Sequence, residues 1–225
     1  MHRTIATRLG TAALLLLGSC LATDDVDLSR SMWDPATSAQ ALFGYTEIED
    51  DKFVFERSTA DGTVQTDLGD MPLAGLAGQH TLVGKRLRVG IEGGTLFGWR
   101  SSVSNFYSGG GTLLVGLDTH LVLTELFFGA FASLGIGDSV RLWAGAGPQL
   151  AWAWADLRTE VGRNTESAFG SGTYWRAGLE FRLKSGALLG FSLRESDAEL
   201  DFGESIGDLG HVDATQWMIT YTTGL

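Results

Sequence analysis

From Leu87 to Trp99 the chain alternates between two characters. Odd positions are Leu87, Val89, Ile91, Gly93, Thr95, Phe97 and Trp99, and the even ones are Arg88, Gly90, Glu92, Gly94, Leu96, Gly98 and Arg100. A period of two marks a β-strand with one apolar and one polar face. The pattern returns at Val140, Leu142, Ala144, Ala146, Pro148, Leu150, Trp152 and Trp154, with Arg141, Trp143, Gly145, Gly147, Gln149, Ala151 and Ala153 between them. A third copy, Thr173, Trp175, Ala177, Leu179, Phe181 and Leu183, is interleaved with Tyr174, Arg176, Gly178, Glu180 and Arg182. The chain end gives a fourth: Trp217, Ile219, Tyr221, Thr223 and Leu225 against Gln216, Met218, Thr220, Thr222 and Gly224.

The connections alternate in length. Short turns fall at Gly84-Lys85-Arg86, Gly135-Ile136-Gly137-Asp138 and Lys184-Ser185-Gly186, all with hairpin chemistry. They recur about every fifty residues, as repeated up-and-down hairpins would. Long polar segments fall at 50–71, 101–110, 157–171 and 196–212. Short turns at one end and long loops at the other are the layout of a transmembrane barrel. Trp99, Trp152 and Trp154 end strands entering long segments, whereas Trp175 and Trp217 begin strands leaving them. All five are therefore expected near one rim, as an aromatic girdle. A soluble barrel would turn its apolar face inward and would have no reason to gather tryptophans at one height.

Eight strands are expected, at 41–49, 72–83, 87–100, 112–134, 139–156, 172–183, 187–196 and 213–225. The span 112–134 is too long for one crossing of about 9 to 11 residues. Leu113, Val115, Leu117, Leu121 and Leu123 share one parity, after which Leu126, Phe128, Ala130 and Leu134 take the other. A bulge near Thr124–Glu125 accounts for the switch; the alternative is two short strands, giving ten in all.

The N-terminus changes the picture of where such a chain goes. His2, Arg3 and Arg8 precede an apolar stretch, Leu9 to Leu17, that is too short to span as a helix and ends at Gly18 and Ser19. Residues 1–19 read as an export signal, 20–40 as an N-terminal periplasmic segment, and 41–225 as the barrel. Leu17-Gly18-Ser19-Cys20 resembles the lipobox of bacterial lipoproteins, which implies acylation of Cys20; ordinary cleavage after Ala22 is the alternative. Cys20 is the single cysteine, so an internal disulfide is excluded. Loss of Arg3 and Arg8 with the signal takes the formal charge from −11 to about −13. That charge argues against nucleic acid or an anionic lipid surface as partner.

With these residues in place, the chain resembles the small outer-membrane β-barrel families of the OmpA and OmpX type. The resemblance rests on the export signal, the strand rhythm from Leu87 onward, the Ala144-Gly145-Ala146-Gly147-Pro148 stretch and the alternating end from Trp217. It departs at Leu225, where many such barrels end in an aromatic residue. The resemblance implies an all-β, up-and-down antiparallel transmembrane barrel in the outer membrane of a Gram-negative bacterium, inserted by the outer-membrane assembly machinery. It implies no reaction. A monomer in the lipid bilayer is expected, with no cofactor and no nucleic-acid partner.

If the apolar face meets lipid, the polar face lines an interior that eight strands leave only wide enough for side chains. Parity then places Arg88, Glu92, Arg100, Arg141, Gln149, Arg176, Glu180, Arg182 and Arg194 inward. Arg88, Arg141, Glu180 and Arg182 fall in a lower layer, with Glu92, Arg176 and Arg194 above. Buried charge is tolerated when paired, so a packed ionic core is the expectation. The excess of arginine over glutamate favours the competing reading of an anion-selective pore, unless Glu125 and Asp118 supply counter-charge.

Candidate chemistry is sparse. A rim hydrolase acting on lipid A or peptide would draw on His80, His120 or His211, with His211-Val212-Asp213 as the first suspects. No Cys/His pattern has zinc spacing. Ser108 to Gly111 reads as turn material, and Glu47 to Asp51 as a solvated acidic loop without the ligand spacing of a calcium site. The expected role is non-enzymatic, structural, adhesive or loop-mediated, with a rim hydrolase or a narrow channel as alternatives.

Overall fold

The computed structural model describes residues 36–48, 54–59, 62–67, 70–108, 111–159, 162–201 and 208–225. The expected export signal at 1–19 and the lipidation candidate Cys20 lie outside them. Every regular element among the described residues is a strand: β1 (Thr37–Ile48), β2 (Val54–Thr59), β3 (Gly62–Asp67), β4 (Asp70–Gly84), β5 (Leu87–Ser108), β6 (Gly111–Ile136), β7 (Val140–Thr159), β8 (Gly162–Arg182), β9 (Leu188–Asp201) and β10 (Asp208–Gly224). Neighbours in sequence pair antiparallel from β4 through β10, and β1 pairs with both β4 and β10. The result is a closed, up-and-down barrel of eight strands. Closure leaves no row of unpaired backbone groups, the condition for crossing lipid with strands.

The two remaining strands form a hairpin outside the barrel, in the first long segment. β2 pairs with β3, and β3 continues onto the upper part of β5 through Thr63, Val64 and Gln65. Thus ten strands exist among the described residues, but not because β6 is split.

Three expectations are corrected. The long segments at 101–110 and 157–171 are mostly strand, since β5 runs to Ser108, β6 starts at Gly111, β7 runs to Thr159 and β8 starts at Gly162. At about 3.3 Å per residue these hairpins rise well beyond any bilayer crossing. On β8 the outward residues Thr165, Ser167 and Ser171 break the apolar face there, so hydropathy stops marking the strand. Next, β1 begins at Thr37, ahead of the expected boundary at 41, and Gln40 points into the barrel. Finally, no bulge lies at Thr124–Glu125: β5 and β6 keep one register from Leu87↔Leu134 to Ser104↔Leu117, and the shift falls between Ser104 and Phe106. Leu121 and Leu123 therefore share the inward parity of Glu125, Phe127 and Phe131.

The parity change in sequence has a physical reason. At the end away from the short turns, the barrel interior itself is apolar: Ile48, Met71, Leu121, Leu123, Leu200 and Val212 pack in one cluster with alanines of β7 to β10. Small residues such as Ala151, Ala153 and Ala155, at most 2% exposed, leave the room that the leucines fill. The three short turns carry left-handed glycines, Gly84 at φ 101°, Gly137 at 61° and Gly186 at 87°, a conformation that side chains disfavour.

Candidate functional site

Two regions hold chemistry-bearing side chains: the lumen and the upper edge of the outer wall. In the lumen, three arginines meet three glutamates. Arg141, on β7 just above the Gly137 turn, donates from Nε to Glu180 Oε2 at 2.7 Å. Glu180 also accepts from Thr220 and Thr222 of β10 at 3.1 and 2.6 Å, and from Gln40 of β1 at 3.3 Å. Higher up, Arg176 of β8 grips Glu92 of β5 at both carboxylate oxygens, Nε to Oε1 at 2.9 Å and Nη2 to Oε2 at 2.6 Å. Gln79 and Tyr174 complete the shell of Glu92, each at 3.0 Å. A third pair joins Arg194 of β9 to Glu125 of β6, with Gln149 and Gln216 accepting from the same guanidinium and Gln216 Nε2 donating back to Glu125 at 2.8 Å.

Aromatic faces cover the two upper guanidiniums. Arg176 lies 4.5 Å from the Trp143 ring and 5.0 Å from Phe127; Arg194 lies 5.3 Å from Phe127 and 5.1 Å from Tyr174. Phe127 and Tyr174 meet edge to face with centroids 5.0 Å apart. Arg176 and Arg194 are both fully buried, a state that charge tolerates only when paired and hydrogen-bonded. Gly145 shows how tight the fit is, because a Cβ there would run into Glu92 Oε1. Beside Thr46, Glu125 and Gln216 a cavity of about 10 Å³ remains, room for about one water.

Of the residues expected inward, Glu92, Arg141, Arg176, Glu180 and Arg194 are brought together in this way. Arg88 and Arg182 stand at the short-turn end instead: Arg182 is exposed, and Arg88 is half-buried with Nε on Lys85 O at 2.8 Å. Arg100 donates to the Asp70 carbonyl. The arginine excess that favoured an anion pore is thereby removed from the buried core, where Glu125 supplies the third acid. Asp118 lies outside the described side chains. Glu125 is one of the two counter-charges named from the sequence, although the expected bulge placed it at a break in the strand parity.

On the outer wall the apolar side chains look away from the lumen. Phe97, Leu142, Leu179 and Ile219 are 45%, 38%, 37% and 48% exposed. Along β5 this face is apolar from Val89 to Trp99 apart from Thr95 and turns polar at Ser101; on β7 it turns polar at Asp156, directly above Trp154, and on β10 at Thr215, above Trp217. Trp99, Trp152 and Trp217 are exposed, whereas Trp154 and Trp175 are half-covered. Trp175 Nε1 donates to outward Glu195 at 3.0 Å.

The histidines sit apart from one another. His80 Nδ1 is 2.9 Å from Thr37 Oγ1 at the short-turn end. His120 Nδ1 is 2.8 Å from Ser101 Oγ on the outer wall. His211 takes a backbone position opposite Glu199, and its side chain lies outside the described ones; Asp213 is half-buried on β10.

No family model matches the chain, and no curated protein does. Among solved structures, the attachment invasion locus protein Ail of Yersinia pestis is similar at TM-score 0.47 and 16% identity, covering 84% of this chain and 99% of that one. Neisserial surface protein A is similar at TM-score 0.46 and 10% identity, over 84% of this chain and 97% of its own. The outer membrane protein OprG of Pseudomonas aeruginosa gives TM-score 0.46 and 14% identity, over 87% and 100%. These are likenesses of shape, and they pass no ligand, partner or reaction to this chain.

Proposed function

We propose that this chain is an integral outer-membrane barrel with a sealed lumen, whose work is done by its outer wall and its long-loop end. The observation that carries the reading is the inversion of the usual burial: Phe191 is 67% exposed and Leu76 64%, while Arg176 and Arg194 are fully buried. In water that arrangement would expose a continuous oily wall and bury charge for nothing. In a bilayer it satisfies both faces, and the stretch of β5 from Val89 to Trp99 has the length of one crossing, about 9 to 11 residues. Trp99, Trp154 and Trp217, each just below the first polar outward residue, serve as the aromatic belt at the long-loop edge.

The lumen does not lend itself to conduction. Three arginines and three glutamates balance within the buried core, and above them the apolar cluster around Leu121 and Leu123 closes the long-loop end. A structural or adhesive role, carried by the projecting β2–β3, β5–β6 and β7–β8 hairpins, fits this sealed form. The partners implied are the bilayer and the assembly machinery that inserts such barrels, with one copy sufficient for the fold. Recovery in the outer-membrane fraction, with heat-modifiable migration on a detergent gel and no single-channel conductance in planar bilayers, is the expected outcome. Discrete conductance steps would refute the sealed lumen.

A further inference from the structure

The geometry points to an acyl-ester hydrolase site on the outer wall of the barrel, with Ser101 as nucleophile and His120 as general base, facing the ester region of the outer leaflet. The strand register makes the juxtaposition. Ser101 of β5 lies opposite His120 of β6, and His120 lies opposite Asp156 of β7. All three belong to the outward parity of their strands, so they form one polar row around the wall. Ser101 Oγ and His120 Nδ1 are 2.8 Å apart, within the reach required of a nucleophile and its base. With the ring proton on Nε2, the serine hydroxyl donates to Nδ1.

Asp156 separates this row from an ordinary cross-strand pair. It is an outward carboxylate, yet only 1% exposed, and it accepts a hydrogen bond from Thr165 at 3.3 Å. By register beside His120, it takes the place from which the acid of a serine hydrolase stabilises the charge that forms on the base during the reaction. Asp156 is thus a positioning and electrostatic residue; it is not assigned a contact with substrate.

Depth chooses the substrate class. Directly below the row on the same strands stand Trp99, Val122 and Trp154, and below those Phe97, Thr124 and Trp152. The row is therefore the first polar step above the apolar wall, where headgroups give way to acyl chains. A lipid held there by its chains against the aromatic residues would offer its ester carbonyl at the height of Ser101. Ser101 Oγ would add to that carbonyl carbon while its proton passes to His120 Nδ1. The ester C–O bond then breaks, and the leaving alkoxide takes the proton from His120. Water, deprotonated by His120, finally cleaves the acyl-serine to free fatty acid and the original hydroxyl.

The inference rests on the membrane placement proposed above, and its test separates the two. Purified, refolded protein is incubated with vesicles of diacyl phosphatidylethanolamine in one arm and with lipopolysaccharide in the other, and free fatty acid is measured by mass spectrometry. The two arms distinguish phospholipid from lipopolysaccharide as the source of the ester. Release in either arm is expected, lost by about 100-fold or more in Ser101→Ala and His120→Gln while heat-modifiable migration persists. Ser167→Ala, an exposed outward serine on β8, should leave release unchanged. Asp156→Asn should lower kcat with KM unchanged while heat-modifiable migration persists, as expected of a residue that acts through His120 and not on the substrate. Wild-type labelling by a fluorophosphonate should map to Ser101. Absence of release in both arms from correctly folded protein, or release that survives Ser101→Ala, would overturn the site. Release from a chain that fractionates with soluble proteins would overturn the membrane placement and leave the site standing.

Discussion

Removing the negative charge of Glu92 while keeping its shape is the sharpest probe of the lumen. Glu92 accepts four hydrogen bonds, two from Arg176 and one each from Gln79 and Tyr174. Glu92→Gln strands Arg176, which has no exposure to water. Breaking a buried pair from one side costs about 3–5 kcal/mol, because an uncompensated charge remains. Removing both charges should cost less than removing one. In Glu92→Gln/Arg176→Met the methionine inherits a site 4.5 Å from the Trp143 ring and 5.0 Å from Phe127, surroundings that suit a thioether. The assay is reversible urea unfolding in lipid vesicles followed by tryptophan fluorescence, run as a double-mutant cycle. A Glu92→Gln penalty under about 1 kcal/mol, the range of solvent-exposed pairs, would mean that water reaches Arg176 and that the lumen is not sealed.

Other perturbations test neighbouring parts of the reasoning. Phe191→Arg, at an outward position of β9, should lower stability by about 2–4 kcal/mol in vesicles if it faces mid-bilayer lipid; an effect within about 0.5 kcal/mol, typical of a water-facing site, would contradict the outer-wall assignment. Gly145→Ala should cost about 1–3 kcal/mol by overpacking, since the new methyl meets Glu92, and the same unfolding assay should show Gly145→Ala nearly harmless in a Glu92→Ala background. Gly186→Ala, at a φ of 87° in the β8–β9 turn, should cost about 1 kcal/mol and slow refolding without changing the folded migration.

Much of the outer wall was legible in the sequence. Alternation from Leu87 to Trp99, and again from Val140, Thr173 and Trp217, fixed which side chains share a face, and the glycines at 84, 137 and 186 marked the hairpin ends. The layers anticipated for Arg141 with Glu180, and for Arg176 with Glu92, coincide with the pairs that form. Residue counts from a short turn give an approximate height, and opposite charges at one height across a narrow lumen find each other. The polar row at Ser101 and His120 was not legible. Its members are 19 residues apart and carry no shared motif, and only the pairing of β5 with β6 sets them side by side.

The sequence by itself determined the two-residue period, the number of long alternating segments and the placing of Arg141, Arg176 and Glu180 off the oily face, because these follow from residues that are neighbours along one strand. Tertiary structure alone decided the rest. β1 meets β10 across nearly the whole length of the chain, Glu125 turns inward to Arg194 because β6 keeps its register, and the long-loop end fills with Leu121, Leu123 and alanines. A period of two assigns a side chain to one of two faces; it carries no information about which distant strand lies alongside, or about what the enclosed space needs at that height.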